Sequence, residues 1–163
     1  HFLFNETISY KNMLIKKFRL SNLIETFPEN HDLKINDLNN ELWRSNPDEC
    51  CHLRKVKPLK KVLRNFESWI SGRKSYHKGE REFLKVFEIQ DGKIVVNPLI
   101  NQDLKNIENY FEENSLPKHP LIKKNYLSIG CTHCTSPVRN SSDIRSGRWK
   151  HLQKTECGIY NKK

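Results

Sequence analysis

Five cysteines carry the chemistry open to this chain. Cys50 and Cys51 are adjacent, Cys131 and Cys134 form a CxxC pair, and Cys157 stands alone near the end of the 163 residues. An odd count argues against a secreted disulfide framework. In a reducing compartment, clustered cysteines serve metals or catalysis. Two pairs supply four soft thiolates, enough for a tetrahedral zinc ion or a 4Fe–4S cluster. Zinc sites favour cysteines separated by two to four residues, so a directly adjacent pair is unusual there. A cubane is wider than one ion and lets neighbouring residues reach different irons, which favours the cluster. Burial as small apolar side chains is the third reading.

Pro47-Asp48 predicts a helix start, which puts Cys50 and Cys51 in the first turn, where the helix dipole favours thiolates or an anionic cluster. Lys55 follows Cys51 by four residues and shares its face, so it can reach an anion held there. Without the cysteines Lys55 would read as an ordinary solvated lysine. Cys157 lies in Thr155-Glu156-Cys157-Gly158. A cysteine on a mobile tail suits a nucleophile that must visit two partners, and the plain alternative is a stray exposed thiol.

The elements that position these groups alternate helix and short strand. Asn5 opens a helix with Tyr10, Met13, Leu14 and Phe18 at helical spacing. Leu23–Phe27 predicts a short strand ending at Pro28, and residues 29–40 a loop or weak helix. Leu53, Val56, Leu59 and Leu63 make an amphipathic face, interrupted by Pro58, which predicts a kink or early stop. Phe66–Ile70 predicts a strand broken at Ser71-Gly72. Phe83–Gln90, Asp91-Gly92 and Lys93–Val96 predict a hairpin. Leu104, Ile107, Tyr110 and Phe111 mark a further helix, and from Pro117 onward the chain reads as loops and turns. The pattern predicts an α/β fold with a loop-rich C-terminal third carrying function.

The formal net charge is +10, which admits an anionic partner. The 20 lysines and 17 asparagines are scattered, as in an A+T-rich genome, and no basic run exceeds two residues. That gives nucleic-acid binding little support. No run of 18 apolar residues predicts a membrane span, and no signal peptide opens the chain. The first residue is His1 rather than Met, which predicts a fragment or clipped product.

Several segments together resemble a known family. Asn46-Pro47-Asp48-Glu49-Cys50-Cys51-His52-Leu53-Arg54-Lys55 resembles the first cluster motif of bacterial, thioredoxin-dependent adenylyl-sulfate reductases of the PAPS/APS reductase family. Ser128-Ile129-Gly130-Cys131-Thr132-His133-Cys134-Thr135 resembles the second. Asp143-Ile144-Arg145-Ser146-Gly147-Arg148-Trp149 resembles the arginine-bearing loop, and Lys154-Thr155-Glu156-Cys157-Gly158-Ile159 the catalytic tail. Phe4-Asn5-Glu6-Thr7 with Tyr10, Asn97-Pro98-Leu99 and His119-Pro120-Leu121 match in order, so the resemblance covers essentially the whole chain.

The resemblance implies an open, Rossmann-like sheet of the adenine nucleotide alpha hydrolase type, lacking its N-terminal strand and phosphate loop. Residues 1–163 are then a single, partial reductase domain, with 150–163 as a mobile catalytic tail, and the fragment alone is expected to bind substrate poorly. It implies a cytoplasmic enzyme of sulfate assimilation and cysteine biosynthesis, converting adenylyl sulfate to sulfite and AMP with reduced thioredoxin or glutaredoxin. Cys50, Cys51, Cys131 and Cys134 would bind one 4Fe–4S cluster. Cys157 would attack sulfur and form an S-sulfocysteine. Lys55, Arg145 and Arg148 would hold the phosphosulfate, and Arg81 with the Ser71-Gly72 turn matches a nucleotide-contact stretch. Nucleic acid and membrane are not expected as partners, and an oligomer is compatible. The tail ends Ile159-Tyr160 where the family usually has His, so the Tyr160 hydroxyl is expected to stand in for it. The rival readings are a reductase of the 3′-phosphorylated substrate, whose members generally lack the four cluster cysteines, and a non-catalytic binding module stabilised by zinc on four cysteines.

Overall fold

Asp91-Gly92 sits between two runs rich in β-branched and aromatic residues, and in the computed structural model, which describes residues 2–139, 143–152 and 154–160, it forms a tight turn. Asp91 and Gly92 both take left-handed conformations, with φ of 51° and 73°, as a two-residue hairpin turn matched to strand twist requires. The turn joins β2 (Phe87–Gln90) to β3 (Lys93–Val96), paired antiparallel with Phe87 opposite Val96. The expected strand from Phe83 is shorter because Gly79–Phe83 winds into 3₁₀ turns. β1 (Ser68–Ile70) pairs parallel with β3, Ser68 opposite Ile94, so the sheet is mixed with order β1-β3-β2. The α/β expectation holds, with three strands among the described residues.

α1 (Asn5–Phe18) carries Glu6 in its first turn and Lys16 and Lys17 in its last, which complements the helix dipole. It is strapped to the C-terminal loops by Thr7 Oγ1 with His119 Nε2 at 3.0 Å and by Tyr10, whose hydroxyl donates to the Pro117 carbonyl at 2.7 Å. Two of the matching motifs are thus two sides of one structural seam. Leu23–Phe27 is not a strand. It finds no strand to pair with among the described residues, and Ile24 and Phe27 are 61% and 63% exposed. α2 (Asn30–Asn36) is the weak helix expected there, and α3 (Leu42–Ser45) is a single turn.

α4 (Pro47–Cys51) starts where Pro47-Asp48 predicts, with the Asn46 side chain accepting from the Glu49 amide at 3.1 Å. Pro58 does not stop the chain. His52–Val56 widens into a π-helical turn and α5 (Lys57–Leu63) continues with Pro58 in its first turn. The Pro58 ring would clash with the carbonyl four residues back in a regular helix. The wider turn accommodates that carbonyl and buries Leu53, Arg54 and Val56. α6 (Leu104–Glu113) is capped by Asp103, which accepts from the Asn106 amide at 2.7 Å.

Buried side chains lie in the sheet, along α4–α5 and in the loops beyond α6. Val95 and Asn97 are fully buried, Asn97 bonded to Lys85, Glu88 and Arg73, and Leu53 and Val56 are buried between α4 and α5. Cys131, Cys134 and Trp149 form a cluster, with Phe2, Leu152 and Cys157 packed on it. Among the described residues no helix is long and apolar enough to cross a membrane.

Candidate active site

All four cysteines of the two pairs are buried: Cys50, Cys51, Cys131 and Cys134 are between 6% and 9% exposed. The first pair comes from α4. The second comes from a loop whose 3₁₀ turn, Thr132–Cys134, closes with the Cys134 amide on the Cys131 carbonyl at 3.0 Å. His133 fastens that loop from outside, stacked 4.3 Å from Trp43 and edge-on to Phe2 at 4.6 Å. Pairs 80 residues apart in sequence thereby share one interior, close enough for the Cys131 and Cys134 sulfurs to act electrostatically on Cys50.

Burial pushes the Cys51 thiol up to about 11, and burial likewise raises Cys50 and Cys134. Bare thiolates there are costly, so a bound metal that takes the place of the protons stabilises the site. Among the described residues no three His, Cys, Asp or Glu side chains converge as ligands of a single ion. The buried Trp149 Nε1 also has no acceptor among the described residues, although its side chain packs with Cys131 and Cys134. The buried Cys131 and Cys134 thiols beside an orphaned N–H donor fit an iron–sulfur group, whose sulfurs accept such hydrogen bonds.

Cations ring this interior. Burial opposes the charge of Lys55, but the Cys131, Cys157 and Cys51 sulfurs outweigh it and hold its pKa above the ordinary lysine value. Lys55 therefore lies at the junction of the cluster cysteines and the tail cysteine, as its spacing from Cys51 predicts. Arg54, which the sequence reading passed over, is 4% exposed. It pairs with buried Asp37 at 2.5 Å, donates to Asn40 at 2.9 Å and sits 3.8 Å from the Cys50 sulfur. Lys154 is held by Asp48.

The arginine loop is zipped onto the second cysteine pair. Asp143 accepts from the Arg145 amide at 2.8 Å, the Trp149 amide donates to the Cys134 carbonyl at 3.1 Å, and Thr135 bridges Arg148. Arg148 donates to the Cys134 and Ile129 carbonyls at 3.3 and 3.4 Å and covers the Trp149 ring at 4.2 Å. A Cβ on Gly130 would collide with the Arg148 guanidinium, so the glycine before Cys131 is what lets the arginine approach. Burial lowers the Arg148 pKa, partly offset by the Cys157, Cys131 and Cys134 sulfurs.

Arg145 and Arg81 converge elsewhere. Both reach the carboxylate of Glu156, the residue before Cys157: Arg81 at 2.5 Å and Arg145 at 3.4 Å. Beyond Cys157 the tail lies against the sheet. Gln90 donates to the Ile159 carbonyl at 2.6 Å, and the Tyr160 ring lies between Trp69, 5.5 Å away, and the Arg73 guanidinium, 4.1 Å away. Tyr160 makes these contacts with its ring, whereas the expectation that it stands in for His rests on its hydroxyl. Residues 153 and 161–163 of the expected tail lie outside the described residues. Ser71 supports this region rather than opening onto it: its hydroxyl accepts from the Arg73 Nε at 3.1 Å, and it is 1% exposed.

Residues 1–137 match the family described as the phosphoadenosine phosphosulfate reductase domain. The chain is 40% identical over 157 residues to an adenosine 5′-phosphosulfate reductase of Chelativorans sp., covering 96% of this chain and 64% of that protein. It is 40% identical over 157 residues to one of Mesorhizobium japonicum, covering 96% of this chain and 62% of that protein. The chain thus spans under two thirds of the length of these relatives. Its fold is similar to the crystal structure of phosphoadenylyl-sulfate reductase from Candida auris in a phosphate complex, with a TM-score of 0.64 and 26% identity over 84% of this chain and 67% of that one.

Proposed function

Because the chain belongs to the phosphoadenosine phosphosulfate reductase domain family, we propose that the full-length protein reduces adenylyl sulfate to sulfite and AMP, in the cytoplasm, as a step of sulfate assimilation. The observation that carries this reading is the position of Cys157, packed on the Cys131–Cys134–Trp149 cluster within the field of Lys55 and Arg148.

The Cys157 thiolate attacks the sulfur of adenylyl sulfate. An S–S bond forms, the sulfur–oxygen bond to phosphate breaks, and AMP leaves with that electron pair. Reduced thioredoxin, or glutaredoxin, then attacks Cys157 Sγ, and sulfite leaves with the electrons of the S–S bond. A second thiol of the reductant resolves the mixed disulfide and restores Cys157. Two thiols supply the two electrons that sulfur gains. The attacking thiolate and the attacked group are both anionic, so cations must draw them together and stabilise the leaving phosphate. Lys55 and Arg148 stand beside Cys157 for that role, and Arg148's fork suits an oxyanion.

Cys50, Cys51, Cys131 and Cys134 would hold a 4Fe–4S cluster, which would supply local charge and rigidity, since the thiols provide both electrons. The four buried thiols favour adenylyl sulfate over its 3′-phosphorylated relative, because reductases of the latter generally lack them. The tail would detach to meet the reductant, since Cys157 is half-buried against the cysteine cluster.

The test is a single turnover of the full-length protein, purified without oxygen. About four irons with matching sulfide per chain are expected. Adenylyl sulfate without reductant should release one AMP and leave one SO3 group on Cys157, detected by mass spectrometry, and reduced thioredoxin should then release sulfite. One zinc without sulfide would instead support a binding module. AMP release undiminished in Cys157→Ser would refute the mechanism.

A further inference from the structure

Two of the four cations that the family resemblance assigns to the substrate are engaged by the protein's own carboxylate. Arg81 grips Glu156 fork to fork, Nε on Oε1 at 2.5 Å and Nη2 on Oε2 at 3.0 Å. Arg145 Nη2 lies 3.4 Å from Oε2 and donates to the Thr155 carbonyl at 2.7 Å. The three side chains are between 8% and 13% exposed. On the other side, the Thr155 hydroxyl donates to Glu80 at 3.0 Å. The chain is therefore pinned at the two residues before Cys157, and pinned again after it by the Gln90 bond to Ile159.

We propose that Glu156 is a positioning residue: its carboxylate docks the tail so that Cys157 rests on the cysteine cluster, and it holds Arg81 and Arg145 until the substrate's phosphosulfate takes them. The docking half needs only the contacts above, whereas the displacement half rests on the function proposed in the preceding subsection.

Electrostatics and access both support exchange of one anion for another. Two buried guanidiniums side by side repel, and Arg145 is held below the ordinary arginine value by burial and by Arg81. The pair is stable only with an anion between them. Bidentate pairing to arginine is equally available to carboxylate and phosphate, so an incoming phosphosulfate can replace Glu156 without leaving a bare cation. Glu156 is also reachable. It lies on the walls of two open cavities of about 490 and 420 Å3, the first also lined by Arg81 and the second by Arg145. An anion entering either cavity meets one arginine of the pair. Glu156 thus couples substrate arrival to a loosening of the tail, which the Ile159 and Tyr160 contacts still hold beside Lys55 and Arg148 for the attack.

The test uses the full-length protein and reads alkylation of Cys157 by iodoacetamide, mapped by peptide mass spectrometry, with AMP as a non-reacting anionic probe. Loss of a bidentate charged pair should raise the alkylation rate of Glu156→Gln by about tenfold or more over wild type, with Glu156→Asp between the two. Saturating AMP should raise the wild-type rate toward that of Glu156→Gln and leave the variant unchanged. In steady state Glu156→Gln should show a lower KM and a lower kcat, a split that simple loss of structure would not give. Equal alkylation of wild type and Glu156→Gln would overturn the docking role. Faster alkylation of the variant with no AMP effect on wild type would overturn the displacement. Should Glu156→Gln fail to fold, Glu156→Asp and the AMP effect on wild type decide the matter. A wild type that releases no AMP from adenylyl sulfate would refute the proposed reaction while leaving the alkylation difference standing.

Discussion

Replacing Tyr160 isolates the far anchor of the tail. Its ring stacks on Trp69 at 5.5 Å and lies under the Arg73 guanidinium at 4.1 Å. An aromatic pair contributes about 0.5–1.5 kcal/mol and a cation–π contact about 0.5–2 kcal/mol. Tyr160→Ala should therefore weaken docking by about 2 kcal/mol, which multiplies the detached fraction by about thirtyfold. Opening requires every anchor to release at once, so weakening one raises the open population by its full factor even with Glu156 in place. Trypsin cleavage after Lys154, whose side chain is 6% exposed and held by Asp48, reports that population when cleavage is slow beside reclosing. Tyr160→Ala should be cut about thirtyfold faster than wild type. Tyr160→Phe keeps both ring contacts and should match wild type within about twofold. Tyr160→His should fall between them. Equal cleavage of wild type and Tyr160→Ala would refute the anchoring argument, and Tyr160→Phe cut as fast as Tyr160→Ala would return the weight to the hydroxyl.

Two further predictions concern the machinery around Cys157. Gly130→Ala places a methyl against the Arg148 guanidinium and should lower kcat/KM by about 100-fold, the scale of losing one aimed transition-state donor, with iron content unchanged; wild-type kinetics would show that Arg148 need not sit there. His77, beside Arg81 at 3.3 Å, is pushed down from 6.5 to about 4 by burial, with Arg81 adding to it. As pH falls, the unfolded chain takes up the proton first, so this contribution is complete above about pH 6.5 and is lost progressively toward pH 4. The full shift corresponds to about 3 kcal/mol, reduced to about 1–2 kcal/mol for a ring that is partly exposed. Urea midpoints at pH 7 and 4.5 should therefore fall less for His77→Gln than for wild type, and parallel falls would count against the assignment.

The cysteine types, their pairing and the Lys55 spacing were legible in the chain because each depends on local order. So were the hairpin at Asp91-Gly92, which needs left-handed residues, and the helix start at Pro47-Asp48, where the first turn tolerates a missing N–H. The short apolar run Leu23–Phe27 misled because a strand exists only when another strand accepts its hydrogen bonds, and composition cannot supply the neighbour. Pro58 predicted a break for a sound steric reason, and the chain met that demand by widening the preceding turn instead of stopping.

What the sequence determined by itself was the inventory: four thiols able to share a cluster, a fifth able to attack, and cations to surround an anion. What only the tertiary structure decided was which charges meet. Arg81 and Arg145 are 64 residues apart and look alike in sequence, yet both close on Glu156, whose role beside Cys157 no local pattern announces. Arg54 and Asp37 carry no local mark of pairing, yet they are buried together. Coulomb energy depends on distance and on the surrounding dielectric, and both are set by the packing of segments remote in the chain.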